Sequence, residues 1–317
     1  MEETFKNISF FRSNELSSNL DLLYNATIYR HSNISDIPWK DFLKQPDIPV
    51  RIILWEEKEA IPVDFLFIPR ASNNLLVGLH GAESRNQADL PKFQFVRSFM
   101  NERTESLIFF SDSTLLLSDK LGLGWMVGNK ESHFLVRVIK AIQKVINKAE
   151  YQKTILVGHS GGGFAAIAIG SQIPNSLAVS INGQVLVGAH EPWTVKALQQ
   201  QVFPEELVTS AMISKYPERM DLRNILEGRV ENSTFAYFAH KEDPNTYSEY
   251  PHFKLLADSM KVSHQGGVNK NGDKLVLCNW DILGSSAHSL PGTVIPFIQF
   301  ALGEKPKIDI KPITPII

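Results

Sequence analysis

The most constraining feature of this chain is Gly158-His159-Ser160-Gly161-Gly162, set between the apolar run Thr154-Ile155-Leu156-Val157 and the small-residue stretch Gly163-Phe164-Ala165-Ala166-Ile167-Ala168. A short apolar run without polar alternation reads as a strand buried on both faces. The stretch after it reads as a helix, over 162–172, whose small residues let it lie close against a sheet. Between the two there is room only for a sharp reversal. Glycine at 158 and 162 removes the side chains that would otherwise collide across it. Ser160 then stands at the apex, its hydroxyl raised above the sheet beside the free N–H groups of a helix N-terminus. A phosphate-binding turn is the competing reading of such a junction. Neither G-x-x-x-x-G-K-[ST] nor G-x-G-x-x-G fits Gly158 to Gly163.

The same rhythm runs through most of the sequence. Val50–Trp55 and Val63–Ile68 read as two antiparallel strands joined by the charged turn Glu56-Glu57-Lys58-Glu59, a leading hairpin at one edge of a sheet. Further buried strands are expected at 75–79, 106–110, 154–157, 177–181, 235–239 and 274–278. Helices are expected at 93–101, 133–148, 162–172 and 293–302. The second of these carries the apolar stripe Leu135, Val138, Ile139, Ile142, Val145 and Ile146. Apolar strands alternating with amphipathic helices imply an α/β architecture, a mostly parallel central sheet with helices on both faces. From about 191 to 231 the alternation gives way to polar helical segments, which reads as a helical cap inserted over the sheet. The mixed, polar residues 1–45 are set apart as an N-terminal extension, 46–303 as the α/β domain, and 304–317 as a tail whose prolines exclude a long helix. No internal repeat and no low-complexity tract is present.

Composition narrows the classes. Hydrophobic residues make up 43% and charged residues 21%, with a formal net charge of −2, so no nucleic-acid footprint is present. No apolar stretch is long enough to span a bilayer. Met1-Glu2-Glu3-Thr4-Phe5-Lys6 begins acidic and lacks the apolar core of a secretory signal. The single cysteine, Cys278, excludes an intrachain disulfide framework and lies in an apolar strand, where burial is expected. A cytoplasmic location is the expectation. No His, Cys, Asp and Glu cluster has metal-ligand spacing, so neither a metal nor another cofactor is expected.

The pentapeptide in its strand–turn–helix setting resembles the nucleophile elbow of the α/β-hydrolase superfamily, and the resemblance extends over roughly residues 50–303. It implies Ser160 as nucleophile and the Gly161 backbone N–H as one oxyanion donor. Leu79-His80-Gly81-Ala82-Glu83 follows an early strand and is similar to the superfamily's His-Gly-x turn. That implies the Ala82 N–H as the second donor, with His80 supporting the loop. His288 lies in the loop after the last strand, where a general base is expected. His240 abuts a strand end, His252 opens a helix, and His264 also lies downstream of Ser160. The superfamily order of serine, acid and histidine implies Asp243, after the penultimate strand, as the orienting acid. Glu242 is its immediate alternative, and Asp281 is a weaker one.

These residues imply acyl transfer through an acyl-serine. Water as acceptor makes the chain an esterase, lipase or amidase, and a sugar hydroxyl makes it an O-acyltransferase. Ser160-Gly161-Gly162-Gly163-Phe164-Ala165-Ala166 is also similar to hydrolase-like proteins of bacterial surface-polysaccharide biosynthesis, some of them O-acetyltransferases. A small-molecule or glycan ester is therefore the expected substrate. The fold also hosts inactive binding proteins, a third reading. Asn182-Gly183-Gln184 falls at the carboxyl edge of the sheet, as a pocket lining or a simple turn. Trp125 and Trp193 are candidates for pocket or lid walls, or for the core.

Overall fold

A computed structural model describes residues 19–56, 61–84, 90–246, 251–284 and 286–313. The apolar runs assemble side by side into one mixed sheet. Its strands are β1 (Leu20–Asp21), β2 (Ala26–His31), β3 (Val50–Leu54), β4 (Val63–Ile68), β5 (Asn74–Leu79), β6 (Ser106–Phe110), β7 (Lys153–His159), β8 (Ser176–Ile181), β9 (Thr234–His240), β10 (Gly266–Val268) and β11 (Lys274–Cys278). Their spatial order is β1-β2-β3-β4-β6-β5-β7-β8-β9-β11-β10. The central strands β6, β5, β7, β8, β9 and β11 are mutually parallel. β3 and β4 pair antiparallel, from Val50 opposite Phe67 to Leu54 opposite Val63, as their patterning predicts. Glu57, Lys58 and Glu59 of the turn between them lie outside the described residues.

That hairpin does not form the sheet edge. β2 pairs in parallel with β3, and β1 pairs antiparallel with β2, so residues 20–31 extend the sheet beyond the hairpin. β1 is also tied in by charge. Arg51 on β3 is fully buried, bonding Asp21 on β1 at 3.0 Å and Asp64 on β4 at 2.8 Å. At the other end, Pro312 bridges Cys278, and the Ile313 N–H donates to the Leu277 carbonyl, so part of the tail continues beside β11.

The helices are α1 (Trp39–Leu43), α2 (Val96–Glu102), α3 (Phe134–Ala149), α4 (Gly161–Gly170), α5 (Pro192–Val202), α6 (Thr209–Lys215), α7 (Pro217–Met220), α8 (Leu222–Glu227), α9 (His252–Met260) and α10 (Ile295–Leu302). α2 and α10 begin later than the apolar patterning predicts, because residues 93–95 and 293–294 pack in extended or turn conformations first. Alternation along the strands divides the core between two faces. Leu75, Val77 and Leu79 of β5 pack with α3, α4, α9 and the segment α5–α8. Leu76, Leu107, Ile155 and Val157 face the other way, onto Phe99 of α2 and Ile295, Phe297 and Ile298 of α10. α3 is amphipathic, burying Leu135, Val138, Ile142 and Val145. α4 is buried at every residue and has no polar face.

The helices α5–α8 fill the stretch between β8 and β9. They are clamped to the loop after β6. Ser118 Oγ donates to Gln201 Oε1 at 2.9 Å, and Arg219 Nη1 donates to the Asn129 carbonyl at 2.8 Å. Among the described residues no helix is long and apolar enough to cross a membrane.

Candidate active site

Ser160 sits between β7 and α4 at φ +56° and ψ −124°, a backbone conformation that L-residues rarely adopt. The turn is held by contact. A Cβ on Gly158 would lie 2.0 Å from the Gly162 carbonyl oxygen, and one on Gly81 would lie 2.7 Å from the His159 oxygen. The loop after β5 therefore runs directly against the turn with no space for a side chain. Gly161 is the first residue of α4, where backbone N–H groups have no intrahelical partner.

His80 fixes that loop. The Asp112 N–H donates to its Nε2 at 2.7 Å, so the ring proton is on Nδ1, which donates to the Gly81 carbonyl at 2.9 Å. Peptide planarity then aims the Ala82 N–H opposite to the Gly81 carbonyl.

His288 and Asp243 meet. His288 Nδ1 donates to Asp243 Oδ2 at 2.7 Å. Asp243 is buried, and its other oxygen accepts from the Asn245 backbone N–H at 2.9 Å and Nδ2 at 2.7 Å. Burial pushes this carboxyl up, but the hydrogen bonds donated by His288 and Asn245 outweigh it and hold it below its usual range. Asn245 Nδ2 also lies 3.2 Å from His288 Nδ1. Both nitrogens are donors, each serving a different oxygen of Asp243. With Nδ1 protonated, the Nε2 lone pair of His288 is left to accept.

The His288 loop is pinned to the turn from two sides. His159 Nε2 donates to the His288 carbonyl at 2.6 Å, and the two rings lie 4.8 Å apart. Asn182 Nδ2 donates to the carbonyls of Ala287 and His288 at 3.2 and 3.1 Å, while its Oδ1 accepts from the His240 N–H. Burial and the neighbouring His288 push His159 down to about 4, so it holds this bond as a neutral donor.

The other candidates fall elsewhere. Glu242 is exposed beside Lys241, and Asp281 is exposed and paired with Lys311. His240 Nε2 donates to the Trp280 carbonyl and its Nδ1 accepts from the Glu242 N–H, so it ties the loop after β9 to the segment after β11. His264 pairs with Asp258 at the surface. His252, the first residue of α9, is fully buried with its Nδ1 accepting from the Val185 N–H. Cys278 is buried, and burial pushes its thiol up. Trp193 is 71% exposed on α5, whereas Trp125 is buried and bonds Gln184.

Sequence reasoning missed His159, Asn245 and the carbonyl-holding role of Asn182. His159 fills a variable place in the motif, and the asparagines act through tertiary contacts. Their positions at or just beyond the ends of β7, β8 and β9 were the available signal. Among the described residues no group of three or more His, Cys, Asp or Glu residues is arranged to hold a metal ion.

No protein-family model matches the chain, and no curated protein matches it. Solved structures do. A chain of the glycosylation-associated protein complex of Streptococcus agalactiae superposes with a TM-score of 0.52 at 17% identity, over 74% of this chain and 42% of that one. The present chain thus spans less than half the length of that relative. The capsule O-acetyltransferase of Neisseria meningitidis serogroup A gives a TM-score of 0.47 at 13% identity, over 69% and 87% of the two chains. An S-formylglutathione hydrolase of Agrobacterium tumefaciens gives 0.47 at 14%, over 72% and 85%. At such identities the likeness is one of fold. That fold, with its parallel central strands, antiparallel β4 and a strand–turn–helix at β7 and α4, is the α/β-hydrolase fold.

Proposed function

We propose that the protein cleaves an ester or amide through an acyl-serine intermediate, as a serine hydrolase. Ser160 Oγ attacks the acyl carbon while His288 Nε2 takes its proton, and a new C–O bond forms. Negative charge passes to the carbonyl oxygen, where the N–H groups of Gly161 and Ala82 receive it. The bond to the leaving group then breaks, and the leaving group takes the proton from His288. Asp243 keeps the His288 tautomer and stabilises the imidazolium. The acceptor, its proton taken by the same His288, then attacks the acyl carbon; the bond to Ser160 Oγ breaks, and Oγ recovers the proton from His288.

The observation that carries this reading is the 2.7 Å bond between His288 and a buried Asp243, made beyond the carboxyl ends of the parallel strands and tied through His159 to the strained turn of Ser160. A fluorophosphonate probe tests it. Wild type is expected to be labelled and Ser160→Ala not, and absence of labelling in wild type overturns it in favour of an inactive binding protein.

A second reading takes a sugar hydroxyl as acceptor in place of water. It is motivated by the fold likeness to a chain from a complex described as glycosylation-associated. Acetyl transfer from acetyl-CoA to glycans, compared with p-nitrophenyl ester turnover, separates the two. Ester hydrolysis that glycans neither suppress nor divert counts against transfer.

A further inference from the structure

Gln184 lies two residues past Asn182 and is completely buried. Its amide bridges two groups: Oε1 accepts from Trp125 Nε1 at 3.1 Å, and Nε2 donates to Ser160 Oγ at 3.2 Å. The orientation of the amide follows from chemistry. An indole N–H is a donor only, so the amide atom facing it must be the oxygen. The nitrogen is therefore the atom that faces Ser160.

The backbone around Gln184 is anchored from three elements. Tyr237 Oη of β9 donates to the Gly183 carbonyl, the Val185 N–H donates to His252 Nδ1 at the start of α9, and the Leu222 N–H of α8 donates to the Val185 carbonyl. Burial pushes the Tyr237 hydroxyl well above its usual range, so it remains a donor. Burial, reinforced by His190, pushes His252 down to about 3, so its Nδ1 remains an acceptor at neutral pH. Trp125 is equally fixed. It is 1% exposed, and the Met126 N–H next to it donates to Asp112 Oδ2 at 3.0 Å.

We propose that Gln184 is a donor to the nucleophile: held by Trp125, it occupies one lone pair of Ser160 Oγ, so the hydroxyl proton is directed away from it and is presented to the base. The same N–H strengthens as Oγ gains negative charge, because a hydrogen bond to a charged acceptor is shorter and stronger than one to a neutral hydroxyl. It acts again in deacylation, when Oγ leaves the acyl carbon. Trp125 is a positioning residue that acts only through Gln184. The proposal rests on the reading of Ser160 as nucleophile, but the Trp125–Gln184 bond can be observed without activity.

The test is a double-mutant cycle on the full chain with Gln184→Leu, Trp125→Phe and the pair. Gln184→Leu is expected to lower the rate constant of fluorophosphonate labelling, and kcat with a p-nitrophenyl ester, about tenfold to hundredfold with KM little changed. Trp125→Phe keeps the ring but not the donor, and is expected to give a smaller loss. The double variant is expected to match Gln184→Leu alone. Wild-type kinetics in Gln184→Leu, or a double variant whose loss is the product of the single losses, overturns the proposal. In parallel, the Trp125 indole N–H, assigned by its disappearance in Trp125→Phe, is expected to be protected from hydrogen exchange in wild type and to lose protection in Gln184→Leu. Unchanged protection also overturns the proposal. If wild type is not labelled while the indole behaves as expected, the acyl-serine reading fails and Gln184 is left as a packing residue.

Discussion

Asp243 and Glu242 are neighbours in the chain and differ in burial. Three donors from His288 and Asn245 converge on Asp243, while Glu242 points into solvent beside Lys241. Asp243→Asn keeps the shape but offers His288 Nδ1 an amide that favours the other tautomer. It is expected to cut kcat by about three to four orders of magnitude, whereas Glu242→Gln leaves kcat unchanged; steady-state ester hydrolysis by both variants decides. Both acids were legible as candidates from their place after a strand. The choice between them was not, because a side chain's burial depends on which loops close over it. His288 and Ser160 were legible individually, but the His159 and Asn182 bonds that set the His288 loop link residues over a hundred positions apart.

At the scale of elements, the strand–turn–helix from β7 to α4 is written locally. The strand is apolar from Ile155 to Val157, the helix after it is rich in glycine and alanine, and Gly158 and Gly162 stand where backbone meets backbone. A Cβ at position 158 would lie 2.0 and 2.1 Å from the Gly162 carbonyl oxygen and carbon, neither of which can rotate aside. Gly158→Ala is expected to cost about 3 kcal/mol in denaturant unfolding. It is also expected to slow fluorophosphonate labelling sharply even where the variant remains folded. By contrast, β1 and β2 carry no clear pattern. β2 is only six residues long, and half of them are partly exposed. β2 is held by its parallel ladder with β3, and β1 by the buried Arg51 bonded to Asp21 and Asp64, a contact that sequence patterning cannot see because charges in a strand ordinarily mark a solvated face.

At the scale of the whole molecule, several histidines are buried in the neutral state, and this gives stability a definite pH dependence. In the unfolded chain His252 takes its proton near pH 6.5, whereas in the folded protein it does so only at about 3. Between those values the unfolded state binds more protons, so acidification favours unfolding. The stability is fully present above pH 6.5 and is lost as pH falls toward 3, with a slope approaching about 1.4 kcal/mol per pH unit for one such group. Its neighbours are His190, lowered in the same direction by burial, His288, and Asp243, whose charge opposes the shift. His252→Gln retains an acceptor for the Val185 N–H and removes the titration. Between pH 6.5 and 4.5 the variant is expected to lose about 2 kcal/mol less than wild type, measured by urea unfolding at each pH. Equal losses would assign the acid sensitivity to other groups.

The sequence by itself determined the parallel core of the sheet, the helices on its faces, the helical stretch between β8 and β9, and the serine at the apex of its turn. Each of these depends on residues within one local period: continuous apolar strands, a helical stripe, and glycines two places either side of Ser160. Tertiary structure alone decided that β1 and β2 join the sheet, that Asp243 rather than Glu242 meets His288, and that Gln184 reaches Ser160 Oγ with Trp125 behind it. These are contacts between side chains distant in sequence. Their energy comes from burial and hydrogen bonding, which exist only once the chain has closed around them.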